Sequence, residues 1–510
     1  MRQLPVFVLL ALAAAPPTAT PAPAQRTAPP RPLRGYEAYV TQAVRDWDVP
    51  GLALAVVKDD SVVLARGFGV RRLGDPAPVT ERTLFAIASC TKAFTAAALA
   101  MLVDSASLAW DDPVTKHLKG FQLSDPYVTR ELTVRDLLSH RSGLARGDGL
   151  WWATPYSRDE VLRRIRYLEP SWSFRSRYGY QNIMFLAAGE VVPAVTGKSW
   201  DEFVRERIFA PLGMTSSNTS VTALAGAADV ASPHQRIGGK LQPIPYRNVD
   251  NIGPAGAINS NAVDMAQWIR LQLAGGSYRG RRLLSAERIK EMQSPQTLVP
   301  LDTLTERLRP STHFLAYGLG WSLSDYRGKK LVSHGGALDG MRSIVLLVPE
   351  DRIGIVVLTN GGEPGRLLTS AVALRMVDAY LGPPVRDWSA ELLQVYRAQV
   401  ARDSVEEEKE TSKHVAGTRP SLAPAGYAGT YRSEMYGDVT VAVDSGVLVM
   451  RFGGEYTADL AHWHYDTFQA TWRNPVMGKD LITFTLGADG TVERLTWPGF
   501  GDFQRRNDAK

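Results

Sequence analysis

Phe85-Ala-Ile-Ala-Ser-Cys-Thr-Lys-Ala-Phe-Thr-Ala-Ala-Ala-Leu-Ala-Met-Leu102 is the stretch on which the reading of this chain turns. Small and apolar residues fill nearly every position, so the pattern predicts a helix apolar all round, which belongs in a protein interior. Its one charged residue is Lys92, three residues after Ser89. A buried ammonium is costly unless it is partnered or gives up its proton. Residues three apart on a helix share a face, so hydroxyl and amine stand side by side. Burial lowers a lysine pKa from its reference of ~10.4. A neutral amine can then take the proton that keeps a serine a weak nucleophile. A helix N-terminus also favours negative charge developing nearby. No other Ser-x-x-Lys occurs in the chain.

Working outward, Gly51-Leu-Ala-Leu-Ala-Val-Val-Lys58 reads as a strand, with Asp59-Asp60 as the turn and Ser61 to Arg66 as its hairpin partner. Helical patterns follow at Asn182 to Val195, Trp200 to Phe209 and Asp264 to Leu273. Strands return at Leu319 to Leu323, Lys330 to Ser333, Ile344 to Val348 and Ile353 to Thr359, the last two joined by a hairpin-length loop. The expected class is α+β, with one antiparallel sheet formed by N- and C-terminal segments and a helical insertion between them. Asp387 caps a further helix that runs into an acidic, hydrophilic stretch. Beyond it, short alternating strands at 438–443, 447–452, 467–472, 481–486 and 492–497 predict a small all-β, barrel-like domain.

The composition sets bounds. At 510 residues and 45% hydrophobic, the chain can bury a large core and hold two domains. The net charge of +6 is spread along the sequence, without basic blocks interleaved with aromatics, so nucleic acid is not an expected partner. Cys90 is the single cysteine, which rules out an intramolecular disulfide and a cysteine-based metal site. A basic start, an apolar run from Leu4 to Ala15 and Ala22-Pro-Ala24 predict a signal peptide over residues 1–24. An exported protein, periplasmic or secreted, is expected, with no transmembrane segment after signal cleavage. The expected division is 25–385 for a hydrolase domain, 386–420 for helix and linker, and 421–510 for the β-rich domain.

Two further segments belong with Ser89 and Lys92. Tyr180-Gln181-Asn182 precedes an apolar helix; its phenol can relay protons and its amide can hold the lysine or a substrate amide. Tyr246-Arg247-Asn248 matches the same pattern but lies in a Pro-flanked segment. Ser333-His334-Gly335-Gly336-Ala337 ends a strand, where glycines let a substrate backbone lie along the sheet edge. The Ala337 N–H can join that of Ser89 as an oxyanion hole.

In this order, Ser-x-x-Lys, Tyr-x-Asn and His-x-Gly resemble the motifs of the serine β-lactamase and penicillin-binding-protein superfamily. The likeness is strongest to its class C-like branch of D-alanyl-D-alanine carboxypeptidases, D-aminopeptidases and esterases, and it runs from about Gly35 to Leu381. The C-terminal strands resemble the lipocalin-like domain found on some members. The resemblance implies Ser89 as nucleophile, Lys92 as base or proton shuttle and Tyr180 as partner in acid–base work. It further implies Asn182 as orienting group, with His334, Gly335, Gly336 and Ala337 along a substrate-binding wall. It implies no cofactor and no metal.

One departure bears on substrate. Many β-lactamases carry Lys-Thr-Gly where this chain has His-Gly-Gly, and a neutral histidine is a poor anchor for a carboxylate. Arg342 is the nearby cation that could compensate. Hydrolysis of peptides or amides with D-residues is therefore expected ahead of β-lactam or small-ester hydrolysis. A slow-turnover penicillin-binding sensor or scaffold is the remaining alternative. The natural substrate and the oligomeric state are not written in the sequence. Cys90 reads as packing, and His462 and His464 lack a clear third metal ligand. Trp151, Trp152 and Tyr156 stand in a loop that either walls the cleft or anchors on the core.

Overall fold

The computed structural model describes residues 30–506, and the structural statements below concern those residues. The expected signal peptide lies outside them. In chain order, helix α1 (Tyr36–Asp46) leads into strands β1 (Gly51–Lys58), β2 (Ser61–Arg72) and β3 (Asp75–Pro78). The inserted region carries helices α2 (Thr91–Asp104), α3 (Asn182–Thr196) and α4 (Ala262–Leu273). Strands β4 (Thr297–Val299), β5 (Leu315–Tyr317), β6 (Ser322–Tyr326), β7 (Lys329–Leu338), β8 (Met341–Val348) and β9 (Ile353–Thr359) follow, then α5 (Pro364–Leu381) and α6 (Trp388–Ser412).

The strands form one nine-stranded antiparallel sheet in the order β4-β5-β6-β7-β8-β9-β1-β2-β3. Segments from the two ends of the hydrolase domain meet within this sheet, where Leu52 to Lys58 pair with Thr359 to Ile353. From Leu52 to Val57, β1 is apolar because both its faces are covered. Ala53, Ala55 and Val57 face the helical insertion with Phe94 and Trp268. Leu52, Leu54 and Val56 face α1 and α5 with Val40 and Leu368. The α+β layout expected from the sequence is the one observed.

The opening stretch departs from the prediction of a single helix. Phe85–Ala86 pair with Asn259–Ser260 as a short two-stranded element, and Ile87 donates its N–H to Ile258 O. A 3₁₀ turn at Ala88–Cys90 follows, and α2 starts only at Thr91. Ala88 takes φ +46°, a conformation costly for a residue with a Cβ, so tertiary contacts hold the turn against its local preference. Ser89 therefore projects from a turn before the helix, whereas Lys92 lies in its first turn. β6 begins at Ser322 rather than Leu319, because Gly320 turns the chain with φ +74°. β7 continues through the two glycines to Leu338.

The C-terminal part closes into an eight-stranded barrel, β10 (Gly429–Ser433), β11 (Gly437–Asp444), β12 (Val447–Phe452), β13 (Tyr456–His464), β14 (Thr467–Trp472), β15 (Lys479–Leu486), β16 (Val492–Trp497) and β17 (Gly501–Arg505), each pairing with the next and β17 with β10. The sequence pattern marks neither β10 nor β17, and of β13 only His462 to His464 reads as strand. β13 carries a register shift between His462 and His464, which blurs its alternation. The Asp387 side chain caps α6 through Ala390 N, as expected. His462 and His464 meet the backbone, at Tyr465 O and Val415 N, and Asp466 holds Ser421 and Tyr427.

Candidate active site

The site forms where the turn before α2, the start of α3 and the end of β7 converge. Lys92 is fully buried, and its Nζ donates to Ser89 Oγ (3.1 Å), Asn182 Oδ1 (2.7 Å) and Ala255 O (2.9 Å). Three acceptors match the three N–H donors of an ammonium, yet none of them is a carboxylate. Burial drives the Lys92 pKa well below its ordinary value, and the nearest carboxylate, Asp148, only partly opposes this. Tyr180 also hydrogen-bonds Ser89, but burial raises its phenol pKa further above 10, so it stays protonated at neutral pH. Lys92 Nζ lies 4.9 Å from the centre of the Tyr180 ring.

The support around these groups was less legible. Asp148 Oδ1 accepts from Asn182 Nδ2 (2.9 Å) and Trp151 Nε1 (2.8 Å), and Arg146 Nε reaches Asp148 Oδ2 at 2.5 Å. The amide of Asn182 is thus oriented from both ends, towards Lys92 and away from it. His140, buried and with φ +55°, accepts the Gln181 N–H at Nδ1 and lies against the Tyr180 ring with centroids 4.2 Å apart. Asp148 stands 34 residues from Asn182, and no local pattern links the two. His140 lies in Leu137 to Leu144, a segment whose sequence pattern alone assigns it no role.

His334 lies on β7 with both ring nitrogens engaged. Nδ1 is 2.7 Å from Gly335 O and Nε2 is 2.8 Å from the Tyr317 hydroxyl. A carbonyl can only accept, so Nδ1 carries the proton and Nε2 accepts from Tyr317. Burial, reinforced by the charge of Lys92, pushes the His334 pKa down to about 3, so the ring is neutral at physiological pH. Beyond Ser333, β7 has no β6 partner, which leaves a strand edge along Gly335 to Ala337 open to the cavity.

These groups line a cavity of about 370 Å³, walled also by Trp151, Arg146 and Arg366. Ser89, Tyr180, Asn182, His334, Gly335, Gly336 and Ala337 all border it, and Lys92 lies beneath Ser89. Arg342 does not supply a cation here: its guanidinium pairs with Glu363 at 2.5 Å and bonds Leu338 O and Met341 O. Trp152 and Tyr156, unlike Trp151, turn to the C-terminal barrel. Tyr246 hydrogen-bonds Ala231 O in the core and takes no part in the site. The Cys90 thiol packs on His334 O and Ser343, and burial pushes its pKa up to about 11, so it stays protonated.

A family model for beta-lactamase matches residues 37–377, and a domain of unknown function matches 413–508. An unguisins hydrolase of Aspergillus campestris is 31% identical over 431 residues, covering 80% of this chain and 77% of that protein. Penicillin-binding protein 4 of Amycolatopsis lactamdurans is 31% identical over 329 residues, covering 62% of this chain and 81% of that one. The octameric penicillin-binding protein homologue of Pyrococcus abyssi shares the fold with TM-score 0.62 at 24% identity, over 92% of this chain and 99% of its own. D-amino acid amidase of Ochrobactrum anthropi shares it with TM-score 0.56 at 23% identity, over 68% and 97%. The chain belongs to the beta-lactamase family and is a serine hydrolase.

Proposed function

We propose that this hydrolase acts on peptides or amides containing D-residues through an acyl-enzyme at Ser89. The observation that carries the reading is a buried Lys92 amine, 3.1 Å from Ser89 Oγ, with no ion pair among the described residues and a depressed pKa. Unprotonated, it accepts the Ser89 proton as Oγ attacks the carbonyl carbon. The backbone N–H groups of Ser89 and Ala337 face the developing oxyanion. The proton passes to the leaving nitrogen, directly from Lys92 or through the Tyr180 hydroxyl, and the C–N bond breaks. Water deprotonated by the same amine then releases the acyl group. Asn182 keeps the amine aimed at Ser89, and the open edge of β7 pairs with the substrate backbone.

The neutral wall at His334 supports this substrate class. A neutral His334 offers no cation for a β-lactam carboxylate, which favours amides. The printed activities of relatives, a hydrolase of unguisins and an amidase of D-amino acids, support the same direction. The expected leader over residues 1–24 supports export as the place of action. Intact-mass spectrometry with benzylpenicillin, followed in time beside Ser89→Ala, tests the nucleophile, and a panel of D- and L-aminoacyl amides tests the substrate. A Ser89-dependent adduct with faster turnover of D-amides is expected. Rapid consumption of penicillin with no D-amide turnover would make the protein a β-lactamase instead.

A further inference from the structure

A second cavity, of about 310 Å³, lies on the face of the sheet opposite α2. Leu331 and Leu346 form its floor, Leu367 and Leu374 of α5 one wall, and Trp388 of α6 another. It adjoins the catalytic cavity: Ser322, Ile344 and Ser370 line both. Along this face of β7, Ser333 is followed by Gly335. A Cβ at Gly335 would meet only Ser343 O within van der Waals range, at 3.7 Å, so this position adds no bulk between the two cavities.

Arg309 lies at the far end. Its guanidinium reaches Thr305 Oγ1 at 3.5 Å and forms no ion pair among the described residues. The carboxylates around it are otherwise engaged: Asp302 with Thr305, and Asp325 with His313 and the Phe314 N–H. Of the charges it senses Asp302 is the strongest, followed by Tyr326 and Asp325, at the end of β6 away from Ser322. Four residues of strand separate Ser322 from Tyr326, roughly 13 Å. A largely apolar trench thus runs from beside the catalytic cavity towards a cation that forms no ion pair among the described residues.

We propose that this trench is a substrate subsite that takes an elongated apolar segment ending in a carboxylate, with the carboxylate on Arg309. The segment is the part of the substrate remote from the scissile bond, so the inference rests on Ser89 being the reacting centre, but not on a preference for D-residues. Hydrophobic burial along the trench holds the segment, and the guanidinium sets its length and polarity.

The test uses decanoate as the probe and 4-nitrophenyl esters as substrates, whose turnover reports Ser89 whether or not D-amides are cleaved. Calorimetry of the full chain should show one decanoate bound, at least ten-fold tighter than decanol. Arg309→Gln should weaken decanoate at least ten-fold, and Arg309→Lys should keep most of the affinity. The mono-4-nitrophenyl ester of decanedioic acid should be hydrolysed with kcat/KM at least ten-fold above its ω-methyl ester. That preference should vanish in Arg309→Gln, while 4-nitrophenyl acetate is turned over as before. Equal binding of decanoate and decanol by the unmodified protein would overturn the role of Arg309 even if the variants failed to fold. Arg309-dependent binding without the ester preference would make the trench a site for a separate ligand and overturn its place in the substrate path. Loss of all ester turnover in the unmodified protein would count against Ser89 chemistry itself.

Discussion

Lys92 is the residue where stability and function conflict. A lysine whose folded pKa lies below its unfolded value binds fewer protons folded than unfolded, so its contribution to stability rises with pH. That contribution is complete above about pH 10.5, the unfolded value. It is lost progressively as pH falls towards the depressed folded value. The stability difference between the native protein and Lys92→Met, measured by urea unfolding, should therefore move in favour of the native protein between pH 7 and pH 9.5. A difference independent of pH would mean that Lys92 keeps its proton in the folded state. The same ionisation shapes catalysis: kcat/KM should rise with pH through one step below the usual lysine range. The raised Tyr180 pKa keeps the phenol out of that window. Lys92→Met should lose activity by on the order of 10³-fold or more, since general base catalysis contributes about 10²–10⁴.

Among the elements, the close approach of β7 to the turn carrying Ser89 sets the site's geometry. A Cβ at Gly336 would lie 2.1 Å from Ile87 O and 2.2 Å from Ser343 Oγ, and the Ser343 hydroxyl itself donates to Ile87 O at 2.7 Å. Gly336→Ala must push the turn and the strand apart. It should cost about 1–3 kcal/mol of stability and, by shifting Ser89 a fraction of an ångström to an ångström, about 100-fold in kcat. Unchanged kcat with wild-type melting would show that the turn can move without consequence. Asp148 makes a complementary case, because it touches Asn182 rather than the reacting atoms. Asp148→Ala should lower kcat roughly 10-fold or more with little change in KM, the worth of one charge-assisted hydrogen bond. Its pH profile should also shift, since Asp148 is the carboxylate that raises the Lys92 pKa. A profile identical to the native one would reduce Asp148 to a purely structural role.

Across the whole molecule, legibility depended on whether information was local. The buried helix, the central hairpin and the alternation of most barrel strands are periodic in sequence, and so could be read. The positive-φ turn at Ala88 could not, because an alanine there has no local reason to leave the helix. Nor could the pairing of Asp148 with Asn182, or the seat of residues 145–156 on the barrel, which join distant positions. That seat is specific. Gly149 faces the rings of Phe500 and Tyr436, Tyr156 donates to Tyr436 O at 2.5 Å, and Tyr456 donates to Trp152 O at 3.2 Å. Arg247, nearly buried, links Asp339 (2.6 Å) beyond β7 to Glu455 (2.7 Å) of the barrel and stacks on Trp152 at 4.3 Å. Since the same loop carries Asp148 and Trp151, the barrel steadies the active site from outside. Arg247→Met keeps the aliphatic stem but leaves Asp339 without its cation, a loss of about 1–3 kcal/mol. Amide exchange of residues 145–156 should then quicken, and kcat should fall several-fold while the barrel strands stay protected. Faster exchange with unchanged kcat would show that the loop's seat and the chemistry are independent.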